Sequence, residues 1–197
     1  MKLICIICIT MFFSFFVFAE IPLGYYDSCN GLVENALRLE LKNIISTNTN
    51  TSYTASKGMM YSEIDNDNGI VTGVYSGFEV NHNFGNTSTP ANIDCEHSYC
   101  QSWIDEELSG SENSIAKADI HHLFPAKSSV NIARSNNPLD FVDEISYTYT
   151  EDGGNTVSYL GTNAELEAVF EPADDHKGDV ARALLYFVVR YETNLSF

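Results

Sequence analysis

The chain has 197 residues, 44% of them hydrophobic, which is enough for one domain with a real core. Its 10 lysines and arginines face 27 aspartates and glutamates, a formal net charge of −17. That balance excludes a protein held on nucleic acid by general basicity, because phosphate neutralisation drives such binding. It leaves room only for a local basic surface on an acidic body.

The N-terminus reads as an export signal. Met1-Lys2 is a short basic start, Leu3 to Phe18 is apolar apart from Thr10 and Ser14, and Val17-Phe18-Ala19 suits the positions before a cut. The apolar run of about 16 residues is short for a membrane span, which needs roughly 20. Residues 1–19 are therefore expected to be a cleaved signal peptide. Residues 20–197 are expected to be a secreted or periplasmic monomer with no membrane attachment. Cys29, Cys95 and Cys100 stay in the mature chain, and export permits a disulfide. A Cys95–Cys100 bridge would brace the residues between them; the alternative is two buried thiols.

Asn30 or Ser28 can cap a first helix that runs to about Ile45, with Val33, Leu37, Leu41 and Ile45 at four-residue spacing. Ser46 to Thr54 is polar loop. Asp65-Asn66-Asp67-Asn68-Gly69 opens like a calcium loop, but its glycine comes one position early and Ser76 stands where glutamate is needed. A turn is expected there, then a strand over Ile70 to Tyr75. Phe78 to Asn92 reads as loop, Ile93 to His97 as a short strand, and Trp103 to Glu107 as a helical turn with loop to Ser114. Ala118 to His121 is expected to be a second short strand. Ser128 or Ser129 can cap a helix carrying Asn131 and Arg134. A hairpin over Phe141 to Leu160 turns at Asp152-Gly153-Gly154. The last helix, Lys177 to Tyr191, is apolar almost all round and is expected to be buried. The fold class is α+β in a single domain.

Glu96-His97, Asp119-Ile120-His121-His122, Asn131 and Arg134 carry the chemistry. An imidazole titrates near neutrality, so His97 can take a proton from water attacking phosphorus. Glu96 and the amide oxygen of Asn131 are hard donors of the kind Mg²⁺ prefers, with Mn²⁺ or Ca²⁺ able to substitute in binding. On a strand, Asp119 and His121 would share one face and orient His97 or a metal-bound water. Arg134 can hold a phosphate oxygen or pair with a carboxylate. Most of the cations lie from Lys117 onward, and Lys127, Arg134 and Lys177 are expected to form the basic surface.

Three stretches resemble the bacterial endonuclease I family. They are Asp94 to Trp103, Ala118 to Asn136, and Phe170-Glu171-Pro172 with Lys177 to Ala183 and Arg190-Tyr191. The resemblance runs in order from about Tyr25 to Tyr191. It implies a ββα-metal (His-Me) finger core and an exported Mg²⁺-dependent endonuclease. The expected substrate is DNA, with RNA as a second class, cut without sequence preference to 5′-phosphate products. It gives His97 the role of general base and Glu96 and Asn131 the metal. Cys100 departs from the family, which carries proline there; losing that ring is expected to loosen the loop after the base. A secreted binding protein that kept the fold without catalysis is the competing reading.

Overall fold

The structure, a computed structural model, describes residues 21–194; the expected signal peptide lies outside the described residues. Helices and strands mix in one α+β domain built from three small antiparallel sheets. A 3-10 turn, Asp27–Cys29, precedes helix α1 (Glu34–Ile45), which starts later than its polar caps suggested. Helix α2 (Tyr53–Met59) follows, capped by the Ser52 hydroxyl accepting from the Ala55 N–H. It runs into a π-helical turn, Met60–Ile64.

Strands β1 (Asn66–Asp67), β2 (Ile70–Gly73) and β3 (Phe78–Asn81) form the first sheet. The Asp65–Gly69 segment is thus a hairpin turn, with Asn68 and Gly69 both at positive φ. β3 lies where loop was expected. Its Phe78 and Val80 pack on a core of Met60, Tyr61, Val71, Ile93, Cys95 and Leu123. The third sheet holds the expected hairpin, β6 (Glu144–Tyr149) and β7 (Ser158–Thr162), with β8 (Ala168–Glu171) beyond it.

The middle of the chain frames the site. Strand β4 (Ile93–His97) pairs antiparallel with β5 (Leu123–Lys127), Glu96 opposite Phe124 and His97 opposite Leu123. β5 runs straight into helix α5 (Ser128–Arg134). Neither serine caps α5, because both already lie inside its first turn. Between the two strands come α3 (Gln101–Glu107) and α4 (Gly110–Lys117). α4 replaces an expected Ser/Gly/Asn loop. Ala116 and Ile115 pack with Tyr99, Ile104 and Phe187, and that burial outweighs the weak helix propensity of the segment.

The expected strand over Ala118 to His121 is corrected. Asp119 caps a 3-10 turn, Ile120–His122, by accepting from the His121 N–H. The strand starts one residue after that turn. Helix α6 (Asp174–Tyr191) closes the domain. Two aspartates at its start suit the helix dipole. Val180, Ala183, Phe187, Arg190 and Tyr191 make one buried stripe. It is not buried all round: Leu185 is 61% exposed.

Candidate active site

Strand alternation splits the Glu96–His97 pair. Successive residues point to opposite faces, so His97 reaches Tyr53 of α2 while Glu96 reaches Arg134 of α5. Both lie at the end of β4, where a cavity of about 480 Å³ opens between Glu96, His97, Gln101, Asn131 and Ser135.

The ring of His97 is fixed on several sides. Its Nε2 lies 3.0 Å from the Lys117 carbonyl oxygen, so that nitrogen carries the proton and donates. Nδ1 is left as the acceptor, with the Gln101 amide nitrogen 3.4 Å away. Tyr53 and His122 flank the ring, each with its centroid 5.2 Å distant. Burial, then the neighbouring His122, pushes the imidazole pKa down to about 3, so His97 is neutral across the ordinary pH range. His122 is fully buried and donates from Nε2 to the Ala116 carbonyl at 2.8 Å.

Glu96 is 2% exposed. Its Oε1 accepts from the Tyr75 hydroxyl at 2.9 Å and stands 3.2 Å from Arg134 Nη1. Burial raises its pKa against the opposing charge of Arg134 and the Tyr75 hydrogen bond. Asn131 lies one turn before Arg134 on α5. Its side chain lines the cavity and makes no hydrogen bond to another described residue.

Arg134 is buried rather than presented to solvent. Its guanidinium donates to the carbonyls of His97 at 3.3 Å, Ser98 at 3.0 Å and Ser135 at 3.3 Å, meets the Cys100 thiol, and lies over the Trp103 ring. It therefore ties Glu96, α5 and the loop after His97 together. That loop is not loosened at Cys100, whose φ of −57° and ψ of 146° are values a proline adopts. Among the described residues, Cys29, Cys95 and Cys100 are free thiols. Cys95 faces the core while Cys100 faces Arg134, so the two do not meet in a bridge.

Asp119 and His121 stand elsewhere. Asp119 is fully buried and accepts from His121 Nδ1 at 2.7 Å and from the Tyr186 and Tyr191 hydroxyls at 2.9 and 2.7 Å. Neither residue lines the cavity beside His97. The expected basic surface is also not formed. Lys127 pairs with Glu151, Lys177 with Glu171 and Asp174, and Arg134 with buried Glu96. In so acidic a chain, each of these cations finds a carboxylate within reach. Sequence reasoning missed Tyr75, Tyr53 and Gln101. Gln101 sits four residues after His97, a spacing that a helix starting there would have exposed; nothing in the spacing links Tyr75 to Glu96.

A family model described as Endonuclease I matches residues 33–197. The chain belongs to the endonuclease I family. It is 35% identical over 173 residues to the extracellular ribonuclease of Bacillus subtilis (strain 168), covering 85% of this chain and 54% of that protein. It is 33% identical over 172 residues to the extracellular ribonuclease of Bacillus amyloliquefaciens, covering 85% of this chain and 53% of that protein. The chain thus spans about half the length of these curated relatives. Family membership accounts for the order of the three sequence stretches, and the strand–strand–helix frame now gives the first two a common place.

Proposed function

We propose that this protein is an exported endonuclease that hydrolyses phosphodiester bonds in DNA and RNA, with β4, β5 and α5 serving as its His-Me finger. The observation that carries the reading is the fixed tautomer of His97: Nε2 is committed to a backbone carbonyl, and Nδ1, next to Gln101, is left as an acceptor on a residue that lines one cavity with Glu96 and Asn131. Extracellular ribonuclease is the name of both relatives, which supports the RNA already expected as a second substrate class and agrees with export by the N-terminal segment.

In this reading His97 Nδ1 takes a proton from water as its oxygen attacks phosphorus. The bond from phosphorus to the 3′-oxygen breaks, the 5′-phosphate stays on the other product, and the leaving oxygen is protonated from solvent. A base held at about pKa 3 is weak for this task. The charge of an entering phosphate favours the imidazolium and raises that value as substrate binds. Gln101 positions the ring and Arg134 positions the loop and Glu96. Asp119 and His121 lend no hand to His97.

Glu96 and the free amide of Asn131 fit a hard divalent cation such as Mg²⁺. Among the described residues no group of three or more His, Cys, Asp or Glu offers an all-protein cage, and Mg²⁺ characteristically keeps several waters instead. When bound, the ion would offset charge on the phosphate and on the leaving oxygen. Cleavage of a plasmid and of a single-stranded RNA by purified protein tests the reading. Activity is expected with Mg²⁺ and lost with EDTA, and His97→Ala is expected to lower it by about 10²–10⁴-fold. Full activity in that variant would overturn the assignment.

A further inference from the structure

Asp119 and His121 form a built arrangement that the nuclease reading does not use. Two tyrosine hydroxyls and the His121 backbone N–H already satisfy the Asp119 carboxylate. The imidazole is an additional partner, and it is held in one direction. Nδ1 is bound to Asp119 at 2.7 Å, and the ring stacks on Tyr186 with centroids 4.5 Å apart and planes at 26°. Its side chain is nonetheless 57% exposed, and Nε2 has no partner among the described residues. An oriented ring nitrogen is therefore aimed at solvent, an acceptor in the neutral imidazole and a donor once the ring is cationic. The hydrogen bond to Asp119 raises the imidazole pKa against partial burial, which favours its cationic form.

The lysines and arginines divide into those that pair with carboxylates and those that do not. Of the ten lysines and arginines, Lys2 lies outside the described residues and six of the remaining nine pair with carboxylates. The three that do not are Arg38, Lys57 and Arg190. Arg190 donates to the Asn48 carbonyl at 3.1 Å, and Asn48 and Ser56 line a cavity of about 170 Å³ together with His121. No aspartate or glutamate lines that cavity. Lys57, next to Ser56 on α2, stands over the Tyr53 ring that flanks His97.

We propose that the cavity at His121 is a second nucleic-acid subsite, where Nε2 donates to a backbone phosphate of a single strand and the exposed ring face supports the flanking base. Phosphate contacts position a strand without reading its sequence, and bases stack on histidine as on other aromatic rings. The inference rests on the nuclease reading for the strand's presence at His97, but not on cleavage.

The test is binding of phosphorothioate oligonucleotides in EDTA, so that nothing is cut. A 12-nucleotide strand, taken as about long enough to reach both cavities, is compared with a dinucleotide that fills one. His121→Gln is expected to weaken the 12-mer by about 3–10-fold relative to the dinucleotide. It is also expected to make the salt slope of 12-mer binding shallower by about 0.7, the value for one single-strand phosphate. Ala55→Glu puts a carboxylate at the exposed rim of the same cavity without touching Asp119, and is expected to act in the same direction. Equal loss for both lengths, or no loss for either variant, overturns the subsite. Wild-type protein that binds neither oligonucleotide overturns the nuclease reading with it.

Discussion

Arg134→Met tests whether the site is held by a buried ion pair. The guanidinium and the Glu96 carboxylate are 1% and 2% exposed, so neither charge is solvated in the folded protein. Methionine fills much of the volume but leaves the carboxylate with Tyr75 as its one remaining side-chain hydrogen-bond donor. Removing one member of such a pair costs roughly 3–5 kcal/mol, because the other charge stays buried without compensation. Three backbone carbonyls also lose their donor. In a chain of this size a loss of that order lowers the melting temperature by about 6–20 °C. The assay is urea and thermal unfolding in EDTA, which keeps divalent cations out of the comparison. The double variant Glu96→Gln, Arg134→Met should recover much of the loss, since replacing both partners of a buried pair is often close to neutral. Lys127→Met, at the surface pair with Glu151, should cost under about 1 kcal/mol. A coupling energy below about 1 kcal/mol between Glu96 and Arg134 would refute the reasoning.

Stability should peak on the pH axis around the Asp119–His121 pair. Burial pushes the Asp119 pKa up, but the hydrogen bonds of His121 and Tyr191, the charge of His121 and the Tyr186 hydroxyl hold it well below the ordinary range. Its contribution is therefore present above about pH 4 and lost as pH falls. His121 is raised by its bond to Asp119, so its contribution is present below about pH 6.5 and lost as pH rises through the raised value. Asp119→Asn should flatten both limbs of a melting-temperature profile, and an unchanged profile would show that the pair contributes nothing. Cys100→Pro should keep the fold and add about 0.4–1 kcal/mol, since φ is already −57° and proline narrows the unfolded ensemble; a loss of more than about 1 kcal/mol in denaturant would mean the thiol contact with Arg134 outweighs it. Glu96→Gln should weaken Mg²⁺ binding in calorimetry more than His97→Ala does, and equal affinities would remove Glu96 from the metal.

The parts legible in the sequence were those set by short-range chemistry. Strand β4, helix α5 and the hairpin between β6 and β7 lie where the sequence places them, the hairpin around its Asp-Gly-Gly turn. Glu96, His97 and Asn131, expected together from their motif stretches, do line one cavity. The 3-10 turn was within reach too, since Asp–x–His with a side chain accepting from the second N–H is local. Strand alternation does not hold over a 3-10 turn, and neither Asp119 nor His121 lines the cavity beside His97.

What escaped was set by partners far along the chain. Asp119 is bound by Tyr186 and Tyr191, 67 and 72 residues later, and nothing in its own segment announces them. Arg134 is the sharper case. Phosphate clamp and carboxylate partner were equally open to an arginine near a glutamate motif, and burial separates them: a guanidinium whose donors face three carbonyls and Glu96 is spent on positioning. Net charge misled in a related way. It implied that any exposed basic surface would be found where lysines and arginines are dense in sequence. Lys127 and Lys177 instead fold against carboxylates, so these cations cancel locally. The described lysines and arginines without a carboxylate partner lie elsewhere, at Lys57, Arg38 and Arg190 on α2, α1 and α6. A strand guided by charge should therefore approach along the α2 side of His97 rather than across Lys127 and Lys177. Lys57→Ala should weaken oligonucleotide binding more than Lys127→Ala, and the reverse order would place the nucleic acid on the opposite wall.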